Sequence, residues 1–192
     1  MKRTISGFYE SYDTARDVVT DLEKAGVPHA DISIIASNGD KLTTGATGAG
    51  TGGSLGAVVG GGAGLLAGLG MLAIPGLGPV VAAGWLAATA AGAAAGAAAG
   101  GVIGALTGAG VSKEHANIYT EGVRRGGSLV TARVDDDEQR AAQMVIDRHD
   151  PSRPDRLGAG YRASGWERFD ENAPLYTPES GLIPPRPTRA NY

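Results

Sequence analysis

Ile74-Pro75-Gly76-Leu77-Gly78-Pro79 lies inside a stretch, Leu42 to Ser112, that contains no Asp, Glu, Lys, Arg or His and is built almost wholly from Gly, Ala and aliphatic residues. Two prolines and two glycines in six residues disfavour a helix there. On either side the glycines recur every four residues: Gly52, Gly56, Gly60, Gly64 and Gly68 before it, then Gly84, Gly92, Gly96, Gly100, Gly104 and Gly108 after it. One residue every four positions advances about 400°, so the stripe follows the i±4 ridge of a helix, and glycines on that ridge let two backbones approach. The stretch reads as two small-residue helices folded into a hairpin at residues 74–79, with these glycines as helix-packing positions.

The flanks read as the two halves of one small α+β domain. Arg3 to Tyr9 suits a first strand, with Ile5, Gly7 and Tyr9 on one side and Phe8 on the other. Ser11 can cap a helix whose apolar positions, Ala15, Val18, Val19, Leu22 and Ala25, keep i, i+3, i+4, i+7 spacing. Gly26 and Pro28 stop it, and Asp31 to Ala36 reads as a second, buried strand. After the insert, Ser112 caps a helix to about Arg125, Ser128 to Val134 alternates as a third strand, and Asp135, Asp136 and Asp137 open a helix to about Arg148 with Ala141, Met144 and Val145, and with them Ala142, expected to face the core. The order is that of the βαββαβ ferredoxin-like plan, with a helical hairpin inserted between its second and third strands. The domain boundaries are therefore 1–41 with 112–149 for the discontinuous domain, 42–111 for the hairpin and 150–192 for a tail. Seven of the ten prolines follow Asp150, so the tail is expected to be largely irregular. Within it, Trp166 and Phe169 are candidate aromatics for docking a partner.

Composition excludes several functions. A net charge of −3, with basic residues scattered among acidic ones, offers no electrostatic pull toward phosphate backbones, so no nucleic-acid partner is expected. The absence of cysteine removes disulfides, thiolate chemistry and Cys-ligated zinc. The N-terminus lacks the apolar core of a secretory signal. Gly48-Ala49-Gly50-Thr51-Gly52-Gly53 satisfies a dinucleotide-binding pattern by count, but it stands too far from the strand ending at Ala36, and no acid follows about twenty residues later for a ribose. No Lys follows a glycine of the insert, so a Walker-type loop is excluded. His29, His115 and His149 lack metal-ligand spacing, and no nucleophile, base and orienting acid can be assembled. No catalytic, cofactor-binding or metal-binding residue is assigned, and a small-molecule ligand is left open.

Ile32-Ser33-Ile34-Ile35-Ala36 after Gly26, and Tyr119-Thr120-Glu121-Gly122-Val123-Arg124-Arg125-Gly126-Gly127-Ser128-Leu129-Val130, resemble the bacterial general stress protein family of YflT-like domains. The resemblance covers most of the chain, but its motifs are structural, and many members carry a Gly/Ala-rich insert in the same place. It implies a non-enzymatic, stress-associated protein and transfers no catalytic residue. Pro151-Ser152-Arg153-Pro154-Asp155 departs from it where the fourth strand would stand. Two functional readings result. The first is a domain tethered to the inner membrane by a glycine-zipper hairpin, with its soluble part on the cytoplasmic side and self-association through the Gly-rich helices. The alternative is a soluble, cytoplasmic regulatory or small-ligand module whose hairpin drives oligomerisation. Both place the insert outside the domain, so deletion of residues 42–109 is expected to leave it folded.

Overall fold

The computed structural model describes residues 2–37, 70–74, 77–86, 88–89 and 101–173. The chain is α+β. In chain order its elements are β1 (Arg3–Tyr9), α1 (Tyr12–Lys24), a 3₁₀ turn (His29–Asp31), β2 (Ile32–Ser37), β3 (Gly70–Ile74), β4 (Gly78–Gly84), α2 (Gly101–Gly108), α3 (Lys113–Arg124), β5 (Ser128–Val134), α4 (Gln139–Arg148) and α5 (Pro154–Ala163). The strands form one antiparallel sheet in the order β1-β5-β2-β4-β3.

Local chemistry explains the elements that flank the insert. Ser11 Oγ accepts from the Asp13 amide at 3.2 Å at the start of α1, and Ser112 Oγ accepts from the His115 amide at 3.2 Å at the start of α3. Gly26 (φ 97°) and Gly126 (φ 101°) end these two helices in the left-handed conformation that glycine adopts without penalty. Asp21 on α1 accepts from Lys24 Nζ at 2.9 Å and lies 3.1 Å from His149 Nε2 beyond α4. The Lys24 hydrogen bond, then that of His149, holds the Asp21 pKa below its ordinary value. Its stabilising contribution is thus present above the ordinary carboxylate pKa of about 4 and is lost as the pH falls below it.

The sheet carries a core on each face. On the first, Ile5, Ile32, Ile34, Val130, Ala132 and Val134 meet Val18, Val19 and Leu22 of α1 and Ala142, Val145 and Ile146 of α4. On the second, Phe8, Ile35, Leu129, Val80 and Ala82 meet Val102 and Leu106 of α2 and Ala116, Tyr119 and Val123 of α3. Phe8 stacks on Tyr119 with ring centroids 6.3 Å apart. A Cβ at Gly122 would stand 2.6 Å from the Phe8 ring, and one at Gly127 2.1 Å, so Gly122 and Gly127 form a slot for one aromatic side chain.

The insert departs from the expected helical hairpin. On either side of residues 75–76, which lie outside the described residues, stand two paired strands rather than two helices: Ile74 pairs with Gly78 and Leu72 with Val80, and β4 then pairs with β2 from Ser33↔Gly84 to Ser37↔Val80. The physical reason is tertiary. Val80 and Val81 favour extended backbone, β2 offers a free ladder edge, and Ala82 and Ala83 are small enough to bury on opposite faces of the sheet. Among the described residues of the second arm, helix appears at Trp85–Leu86 and Ala88–Thr89 and as α2, which belongs to the second core. The first arm, residues 42–69, and residues 90–100 lie outside the described residues. Among the described residues, no helix is long and apolar enough to cross a membrane.

Three smaller features follow from known preferences. The expected irregular tail contains α5, because Pro154 occupies the first helical turn, where its missing N–H costs nothing. The place beside β1 for a fourth strand is not taken by any described strand; the Ser152 amide reaches that edge, donating to the Phe8 carbonyl at 2.8 Å. Asp135 to Glu138 form a turn ahead of α4, whose buried face is Ala142, Val145 and Ile146, leaving Ala141 exposed and Met144 57% exposed.

Candidate functional site

Strand register assembles a polar row on the second face of the sheet, beyond the Phe8 end of the core. Ser6 of β1 stands opposite Thr131 of β5, and Thr131 stands opposite Ser33 of β2. All three alternate with residues of the first core, which fixes them on the second face. Ser33 Oγ donates to the Ala83 carbonyl at 2.7 Å. Thr131 is fully buried, yet neither its Oγ1 nor the buried Oγ of Ser6 has a hydrogen-bond partner. One step along β5 on the same face, Arg133 lies over the Trp85 ring at 4.7 Å, and the buried Nε of Arg133 and Nε1 of Trp85 also lack partners. Arg133 Nη2 reaches Asp31 at 3.0 Å, and Lys2 Nζ bonds the other oxygen of that buried carboxylate. A buried polar group left unsatisfied costs about 1–3 kcal/mol, so four on one face mark a place that the folding of the chain alone does not complete.

A second polar cluster lies at the other end of the same face. Glu121 is 1% exposed, and its carboxylate accepts from Arg124 Nε at 2.9 Å, Arg124 Nη2 at 2.9 Å and Arg125 Nε at 2.7 Å. Arg125 lies over the Tyr161 ring of α5 at 4.4 Å, and Tyr161 packs edge-on to Trp166 at 5.6 Å. Phe169 packs against the second core, its amide donating to Asn117 Oδ1 at 3.3 Å. The two proposed docking aromatics thus dock on the chain's own α3 and α5. Burial pushes the Tyr119 phenol up to about 12 and raises Tyr9 and Tyr161 further, so these hydroxyls stay protonated and serve packing.

The glycine beat divides. Gly52, Gly56, Gly60, Gly64, Gly68, Gly92, Gly96 and Gly100 lie outside the described residues. Gly84 (φ 88°) closes β4, where an added Cβ would stand 2.1 Å from the Ile32 carbonyl oxygen and 2.8 Å from the Ser33 Cα, so its close backbone approach is to a strand. Gly104 and Gly108 are exposed on α2, with no described residue within 4 Å of an added Cβ. Gly84→Ala is therefore expected to lower stability by about 2 kcal/mol or more, whereas Gly104→Ala raises it by about 0.5–1 kcal/mol. Urea unfolding of the two variants measures the contrast, and equal effects would refute it.

His115 Nε2 lies 3.7 Å from Asp155, and His149 pairs with Asp21. Among the described residues, no three His, Cys, Asp or Glu side chains come together as a metal site. The polar row was not identified from sequence because its members come from β1, β2, β5 and the helical residues after β4, and only the sheet joins them. Compared with protein-family models, curated proteins and solved structures, the chain finds no match.

Proposed function

We propose that the chain is a non-enzymatic, stress-associated module of ferredoxin-like type that works by self-association, its partner being a second copy of itself. The order β1-β5-β2, with α1 and α4 packed on one face, supports the ferredoxin-like reading, with β4 and β3 added beyond β2. Stress association rests on the resemblance of the Tyr119 to Val130 segment. The observation that carries self-association is the orientation of α2. Val102, Ala105 and Leu106 are buried in the second core, which turns Gly104 and Gly108 outward on one face. Small residues on an exposed helix face admit a second backbone at close range.

This reading is favoured over the membrane tether by the closed end of the insert. A spanning hairpin needs its turn about 30 Å from the domain, across a bilayer core. Here Ile74 and Gly78 are paired in strands of the domain's own sheet, and Leu77 is buried in the second core.

Gly104→Leu with Gly108→Leu is expected to weaken association at least about tenfold without loss of folding, because both sites are open and the change favours helix. Gly160→Leu is the matched control, a helical glycine of α5 with open space around it. Sedimentation velocity over a range of concentrations reads the outcome. An unchanged mass distribution in the double variant, or an equal change in the control, would remove α2 as the contact.

A further inference from the structure

From the polar row we infer a binding site for the carboxylate group of a small organic acid, formed by Ser6, Thr131, Arg133 and Trp85. Two of the four unpartnered groups, Arg133 Nε and Trp85 Nε1, can only donate hydrogen bonds, and the hydroxyls of Ser6 and Thr131 can donate as well. A carboxylate presents two oxygens with about four acceptor positions, which matches four donors. Water accepts fewer, and a cation finds no free carboxylate, since Asp31 is engaged by both Lys2 and Arg133. Two cations beside one anion leave a single positive charge, which suits a monoanion better than a phosphate dianion. The scale also fits: Ser6 and Thr131 are cross-strand partners, about 5 Å apart, and Arg133 follows Thr131 by about 7 Å along β5. This site stands apart from self-association through α2 and does not depend on it.

The full-length chain carrying Trp166→Phe keeps Trp85 as its sole tryptophan, so indole emission reports on the site itself. Titration with acetate and butyrate is expected to give a saturable change at roughly millimolar concentration or below, with inorganic phosphate and sodium chloride at equal ionic strength giving none. Thr131→Val and Arg133→Gln, each added to that chain, are expected to weaken the response at least about tenfold. Thr131→Val should also melt no lower than its parent, because valine keeps the shape and removes an unpartnered hydroxyl. Ser6→Ala on the edge strand provides the same binding test should either core variant fail to fold. The inference is overturned if neither carboxylate saturates, if phosphate alone does, or if Thr131→Val binds like its parent.

Discussion

Replacing residues 42–109 by a Gly/Ser linker is expected to yield a chain without cooperative unfolding, the opposite of what the sequence pattern alone suggests. The deletion removes Leu77, Val80, Leu86, Val102 and Leu106 from the second core. At about 1.5–3 kcal/mol for each large buried side chain, the loss is of the same order as the 5–15 kcal/mol that stabilises a typical domain. Phe8, Ile35 and Leu129 would lose the layer that covers them. The contrasting change, replacement of residues 42–67 by a six-residue Gly/Ser linker, should leave a folded protein. Ser37 and Leu72 both stand opposite Val80, so β2 and β3 run parallel on either side of β4, and a crossover of about a dozen residues suffices to join them. Near-ultraviolet circular dichroism with urea unfolding separates the two. Cooperative unfolding of the larger deletion would mean that the insert is an appendage after all.

Glu121→Ala is expected to cost about 3–5 kcal/mol, because it leaves two guanidinium groups packed together in a buried place without the carboxylate between them. Arg124 and Arg125 are each close to 10% exposed, so water cannot replace the lost partner. Glu121→Gln keeps the shape and one set of acceptors and should fall between. A change under about 0.5 kcal/mol in the midpoint-derived stability of Glu121→Ala, the range of an ordinary surface substitution, would show that the cluster is solvated in solution. The result bears on how the segment from Tyr119 to Val130 is understood. Its charged and glycine residues hold α3 and α5 together and make room for Phe8, which is a structural role throughout.

Elements with a clear period were legible in the sequence. Ala15, Val18, Val19 and Leu22 lie where helical spacing puts them, β5 alternates as read, and Ser11 and Ser112 cap the helices assigned to them. The insert was not legible for a physical reason. A strand buried on both faces shows no alternation, and one made of Val, Ala and Gly has the composition of a small-residue helix. What decided between them was the free edge of β2, a partner distant in sequence. The same blindness explains α4: Ala142, Val145 and Ile146 and the set Ala141, Met144 and Val145 both fit helical spacing, and only the position of the sheet selects one. The polar row was hidden more completely. Ser6 and Thr131 are unremarkable in their own strands, and Trp85 reaches Arg133 only because β4 joins the sheet and ends at Gly84.

The pairing of β4 with β2 underlies both the compact insert and the polar row, and the chain's lack of cysteine allows it to be tested directly. Ile35 and Ala82 are register partners, so Ile35→Cys with Ala82→Cys places two thiols within reach of a disulfide. Ile35→Cys with Val80→Cys sets them two residues out of register, about 7–8 Å apart, beyond that reach. Mild oxidation of the folded protein should close the first pair within one chain and leave the second reduced. Failure of the first pair to close, or equal closure of both, would contradict the sheet as described.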